Sequence, residues 1–359
     1  MDIFTHIDIP KSSVQLTHQH KIMLLGSCFA DNIGALLRHD KFDVMVNPFG
    51  TLYNPASIAV HLWRCISQKE YTPSSPEVFC SQGPVCENTA NSGSFFSWLH
   101  HSSFSASTEE ELCQRIQAAQ EAASRRLREA DWLIVTFGSS YIYRLKETGM
   151  LVANCHKQPD VLFSRTRLPA CDIADQWTPL LEMLHSINPR LRVLFSVSPI
   201  RHRRDGFHQN QLSKAELLLA IDQILATVNR NPFPSEVNPE SRYCVTSYFP
   251  SYEILMDELR DYRFYADDML HPSSLAVDYI YERFADTYIN KEEQQLSKQC
   301  RDIHVALAHR PIHPEDPSRL QFVEKIIQKI QHIQSLHPYI NWDAELELCH
   351  IQFKKSQQS

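Results

Sequence analysis

The sequence predicts an α/β fold built on a five-stranded parallel sheet. Three observations carry that expectation. Apolar runs of strand length start near residues 22, 43, 132, 192 and 243. Segments with helical spacing separate them, and the runs end in loops marked by Gly, Pro, Asn or Ser. At 359 residues the chain is long enough for one large domain, expected over 1–290, followed by a helical extension over 291–359.

The first run, Ile22 to Leu25, enters a Gly-Ser-Cys turn, after which Phe29, Ile33, Leu36 and Leu37 recur at helical spacing. This is strand, tight turn, helix, with Gly26 at the bend. It places Ser27 and Cys28 at a helix N-terminus, where unpaired N–H groups and the helix dipole favour a thiolate or an oxyanion. That position is expected to lower the Cys28 pKa. The second run, Asp43 to Val46, ends in the Asn47-Pro-Phe-Gly-Thr51 loop, and a helix is expected over Ser57 to Cys65. Residues 68–107 read as a long loop, an insertion or lid, with Phe95, Phe96 and Trp98 as an edge strand. Thr108 to Ala130 is a helix with a Glu-rich start and an Arg-rich end, matching its dipole.

The third strand, Asp131 to Thr136, ends in Phe137-Gly-Ser-Ser-Tyr141, and Val152-Ala-Asn-Cys-His156 follows as a polar loop holding Asn154 and His156. A helix over Gln176 to Ile187 stops at Asn188-Pro189 and leads to a fourth strand, Arg192 to Val197. Its C-terminal loop, Ser198 to His208, is the most basic stretch of the chain. It sits where open α/β sheets bind ligands, so Arg201 and His202, with Arg203 and Arg204, are candidates to grip an anionic group. Ser213-Lys-Ala-Glu216 before Leu217 to Leu219 has the spacing of a capping box, which assigns both ends of the motif a structural role. Tyr243 to Ser247 is the fifth strand, followed by a helix over Tyr252 to Leu259 and another from Ser273. In the C-terminal part, Leu320, Val323, Ile326, Ile327, Ile330 and Ile333 form a helical stripe, the expected place of any homo-oligomer contact.

Composition narrows the function classes. A formal charge of −7, from 42 acidic against 35 basic residues, argues against a nucleic-acid footprint. Ten cysteines without C-x-x-C pairs read as reduced thiols. No segment approaches a membrane span or a signal peptide, so a soluble cytoplasmic protein is expected, without membrane partners. His18 and His20 form an H-x-H pair that reads as structural, and no metal or other cofactor is called for.

The letters Gly26-Ser-Cys-Phe-Ala30 resemble the signature of the GSCFA family, a branch of the SGNH (GDSL-like) hydrolases. The resemblance implies a flavodoxin-like three-layer sandwich, and gapless alignment puts Cys28 at the nucleophile's place, with Ser27 the adjacent alternative. Asp268-Met-Leu-His271-Pro272 is similar to the Asp-x-x-His-Pro block that opens the last helix of such enzymes. Gly50 takes the place of the second-block oxyanion glycine. Gly138 matches the third block, but Ser140 stands where its Asn is usual, so either the Ser140 hydroxyl serves as the oxyanion donor or an Asn from elsewhere, such as Asn47 or Asn154, takes over. The implied activity is hydrolysis of an acyl ester, acetyl included, on a small molecule or a glycan. An acyl-CoA-dependent transferase and a catalytically silent carbohydrate-binding relative are the other two classes.

Overall fold

The computed structural model describes residues 5–68, 78–80, 95–230, 246–308 and 318–357. Within them the strands, in chain order, are β1 (Lys21–Gly26), β2 (Asp43–Val46), β3 (Val78–Cys80), β4 (Phe95–Ser97), β5 (Trp132–Phe137), β6 (Tyr141–Leu145), β7 (Leu151–Val152), β8 (Phe163–Arg167), β9 (Arg192–Val197) and β10 (Thr246–Phe249). The helices are α1 (Cys28–His39), α2 (Pro55–Ser67), α3 (Glu109–Glu129), α4 (Ala170–Ile187), α5 (Phe207–Arg230), α6 (Ser251–Glu253), α7 (Ser274–Tyr288), α8 (Lys291–Ala308), α9 (Ser318–Leu336) and α10 (Asp343–Gln357).

The main sheet is parallel, in the order β2-β1-β5-β9-β10. Numbering those five strands by themselves gives 2-1-3-4-5, the flavodoxin-like order. Their register sets Gly26 opposite Thr136, Thr136 opposite Ser196, and Ser196 opposite Phe249. Four strands therefore finish at one edge, and the turns that follow them share it. The central β1 and β5 are buried along nearly their whole length, as expected of parallel strands covered on both faces. The core continues through Phe137, Trp177 and Phe195, whose rings meet edge-on or tilted at 5.1 to 5.5 Å. The buried Trp177 indole N–H donates to the Pro55 carbonyl at 3.2 Å, so no polar atom of that ring is stranded.

Helix ends follow local chemistry. Asn54 caps α2 by accepting from Ser57 N at 2.8 Å, ahead of Pro55 at the first helical position. Thr108 caps α3 through Glu111 N. Helix α4 starts at Ala170, six residues before the expected Gln176, because Glu216 accepts from Ala170 N at 2.8 Å and so caps it from α5. Ser213 lies inside α5, which corrects the capping-box reading of that segment. The helix expected over Tyr252 to Leu259 is α6 running into a π-type turn, closed by Leu259 N on the Ile254 carbonyl at 3.1 Å.

Of the fifth strand expected at Tyr243 to Ser247, residues 243–245 lie outside the described residues, and β10 runs to Phe249. Residues 69–77 and 81–94 of the expected insertion lie outside them as well. The part that is described holds β3 paired antiparallel with β4. A three-stranded antiparallel sheet, β7-β6-β8, was not foreseen from the sequence.

The chain divides into two compact units. One holds Ile22–Gly34 and Met45–Ile280 with the N-terminal residues up to Ile9; the other holds Pro10–Lys21, Ala35–Val44 and Tyr281–Ser359. The second has its own core, in which Ile303, Ile326, Ile330, Ile333 and Trp342 are buried together. No helix among the described residues is long and apolar enough to cross a membrane.

Candidate active site

The turn after β1 is shaped by a close approach. Gly26 has φ +154°, and a Cβ there would meet the Thr136 carbonyl oxygen at 2.5 Å, so only glycine lets β1 and β5 end side by side. Gly26 N donates to Asn47 Oδ1 at 2.9 Å, and Asn47 Nδ2 donates to Asp31 Oδ1 at 2.7 Å. Asn47 thus binds the turn to the first turn of α1. Ser27 is buried; its hydroxyl donates to Ser198 Oγ at 3.1 Å and accepts from Phe29 N at 3.3 Å. Cys28, the first residue of α1, is half-buried.

The Cys28 thiol is pushed up from its ordinary value, first by burial and then by the Asp31 carboxylate, with a smaller contribution from Asp268. Backbone N–H groups of Cys28 and Phe29 work the other way but do not win. This corrects the expectation of a lowered pKa: the helix terminus favours a thiolate, but burial and the carboxylates outweigh it.

His271 and Asp268 form a hydrogen-bonded pair. The His271 Nδ1–H donates to Asp268 Oδ2 at 2.6 Å, while Asp268 Oδ1 accepts from Leu270 N at 2.9 Å and His271 N at 3.0 Å. Those bonds hold the Asp268 carboxyl down at about 2, the two backbone donors contributing first. The loop is tied down at both ends, by Ala266 N on the His271 carbonyl at 2.8 Å and by Arg201 N on the Leu270 carbonyl at 3.0 Å. Asp268 makes the smallest contribution to raising the Cys28 pKa, and no hydrogen bond among the described residues joins Cys28 to His271 or Asp268.

The other expected residues divide. Gly50 N closes a turn onto the Asn47 carbonyl at 2.8 Å, and Gly138 N donates to the Tyr53 carbonyl at 2.8 Å. Ser140 is fully buried, and both its N–H, at 2.9 Å, and its hydroxyl, at 3.1 Å, donate to Ser213 Oγ. Asn154 Oδ1 accepts from His156 N, and His156 Nε2–H donates to the Ser97 carbonyl with its ring stacked on Phe96. These two order the β4 region; no hydrogen bond among the described residues joins them to Cys28 or His271. Arg204 pairs with Asp160 on the surface, whereas Arg201 reaches Met256 Sδ at 3.8 Å. His202 is pushed down to about 4, by burial first and then by Lys214. Among the described residues no cluster of His, Cys, Asp or Glu is arranged to hold a metal ion.

The sequence profile of the GSCFA family matches residues 21–284, and that of the GSCFA domain protein, C-terminal domain, matches residues 300–355. The chain belongs to the GSCFA family. No curated protein matches it significantly. Among solved structures, an acetyl xylan esterase (Est2A) from the rumen bacterium Butyrivibrio proteoclasticus is similar at 10% identity and a TM-score of 0.36, covering 79% of this chain and 64% of that one.

In this GSCFA protein, sequence reasoning passed over Asp31, Ser198 and Lys214 and assigned Ser213 to a capping box. A signal for the last two was available. Asn210, Ser213 and Lys214 precede Leu217, Ile221, Ile224 and Val228 on one helical stripe, and all seven are buried. Polar residues on the core-facing stripe of a helix mark a buried polar network.

Proposed function

We propose that this GSCFA protein is an acyl esterase in which Cys28 attacks and the Asp268–His271 pair moves the proton. The hydrogen bond of His271 Nδ1 to Asp268 carries the reading, because it fixes the tautomer and leaves Nε2 as the base. The raised thiol pKa argues for a neutral resting thiol. His271 Nε2 then takes the Cys28 proton as Sγ bonds to the acyl carbon, and it returns that proton to the leaving alkoxide. Water, deprotonated by the same nitrogen, cleaves the thioester and regenerates the thiol. The N–H of Cys28, at the start of α1, is the oxyanion donor best placed by its position. Ser27 serves the turn, since its hydroxyl is buried and bonded on both sides.

The substrate class is an acyl ester of a small molecule or glycan, with acetyl the first candidate. A second reading, binding without turnover, is favoured by one observation: the N–H groups of Gly50, Gly138 and Ser140 are all committed inside the protein. A panel of p-nitrophenyl esters from acetyl to octanoyl, read with intact-mass analysis, separates the readings. The esterase should hydrolyse the short esters and carry one acyl group on wild type but none on Cys28→Ala. Ligand binding with no acyl-enzyme and no turnover would favour the silent relative. Turnover appearing only with acyl-CoA and an added alcohol would favour the transferase.

A further inference from the structure

Lys214 of α5 is 1% exposed, and its Nζ donates to the carbonyls of Gly138 and Ser198, each at 2.6 Å. These carbonyls directly follow neighbouring strands, Gly138 after β5 and Ser198 after β9. Two carbonyl dipoles converging on one point repel each other. A cation between them replaces that repulsion with two charge-assisted hydrogen bonds. No carboxylate pairs with Lys214 among the described residues; its neighbours are Arg201, the imidazole of His202 and, 5.7 Å away, the ring of Tyr252. Burial, and then Arg201, push the lysine down to about 7. An ammonium in such a place is expensive, and a methionine would fill the same space without that penalty.

The two tethered loops both adjoin the nucleophile turn. Ser198 Oγ accepts from Ser27 Oγ, and a Cβ built on Gly138 would lie 3.6 Å from Ser27 Cβ. The neighbouring Ser213 holds the same segment from the same helix, accepting from Ser140 N and Ser140 Oγ. We propose that Lys214 is a positioning residue for the Cys28 reaction, a buried tie that holds the loops after β5 and β9 in place against the turn carrying the nucleophile. The proposal rests on the esterase reading, because it takes Cys28 as the group positioned.

The test compares wild type with Lys214→Met, Ser213→Ala and Cys28→Ala, with two readouts. The first is hydrogen exchange of peptides covering residues 137–141 and 197–200. The second is kcat and KM for the best p-nitrophenyl ester. Lys214→Met should fold, exchange faster by at least about tenfold in both peptides, and lose kcat by roughly 10²-fold with KM little changed, the signature of misplaced reacting groups. Ser213→Ala should reproduce the faster exchange in the first peptide alone, and it carries the test if Lys214→Met does not fold. Unchanged exchange in both peptides, or a folded Lys214→Met with wild-type kcat, overturns the proposal. Activity surviving in Cys28→Ala removes Cys28 as the nucleophile instead, no turnover by wild type removes the esterase reading, and exchange still reports on the tie where no ester is turned over.

Discussion

At the residue scale the proposed reaction turns on a single thiol. Cys28 feels two opposing influences: the N–H groups at the start of α1, and burial together with Asp31 and Asp268. The second set prevails, so alkylation of Cys28 by iodoacetamide should rise with pH to a midpoint above the 9.0 of an ordinary thiol. Asp31→Asn should move that midpoint down by removing the second-largest cause. Peptide mapping of the labelled protein across a pH series measures both, and a wild-type midpoint below 9.0 would sink this account. The Asp268–His271 hydrogen bond was legible in the sequence because the two residues sit in a short contiguous motif whose spacing is itself the geometry. Ser198 and Lys214 were not, since their roles come from partners on other elements, nor was the bond of Asp31 to Asn47 in the loop after β2. The lowered pKa expected for Cys28 failed for the same reason: a helix start can be read locally, whereas the burial of a thiol cannot.

At the scale of elements, α2 and the segment leading from β4 share a cluster of aromatic and imidazole rings. His61 of α2 stacks on Phe49 at 4.3 Å and meets His100 at 4.7 Å. Its Nε2–H donates to the Leu99 carbonyl at 2.8 Å, and its buried Nδ1 has no hydrogen-bond partner among the described residues. Burial pushes His61 down to about 4, while the unfolded chain titrates at 6.5. Between those values the unfolded state binds the extra proton, so stability rises with pH across the window and is lost as pH falls from 6.5 toward 4. One such histidine contributes a slope of up to about 1.4 kcal/mol per pH unit. Urea unfolding at a series of pH values should show a slope that shrinks by roughly that amount in His61→Leu, whatever the variant's stability at pH 7. An unchanged slope would remove His61 as its source. The main-sheet strands and α3 were legible from apolar runs and from dipole-matched ends. The β7-β6-β8 sheet was not, because its strands are two to five residues long and half exposed, too short for alternation to stand out.

The whole molecule shows what a linear reading of domains leaves out. An expected boundary at residue 290 treats the last 69 residues as an appendage, yet the compact unit that contains them also takes Pro10–Lys21 and Ala35–Val44. Periodicity reports on neighbours in sequence, and this unit is assembled from segments far apart. Its polar centre is Asp40, whose side chain is 2% exposed. Asp40 accepts from Arg301 Nε at 2.7 Å and Nη2 at 2.6 Å, a bidentate pair between residues 261 positions apart, and from the Tyr281 hydroxyl at 2.7 Å. Removing the guanidinium leaves a buried carboxylate with the tyrosine as its remaining side-chain partner among the described residues. Breaking a fully buried pair costs about 3–5 kcal/mol, and the 44% exposure of Arg301 reduces that, so Arg301→Ala should cost roughly 2–4 kcal/mol. The penalty belongs to the stranded charge more than to the lost attraction. Asp40→Asn combined with Arg301→Met should therefore lose less than Arg301→Ala alone. Urea unfolding of the full chain, followed by the fluorescence of Trp342 in this unit's core, measures the difference. A double variant at least as unstable as Arg301→Ala would mean that the loss comes from the missing attraction, and that the segments around Asp40 depend on the ion pair itself.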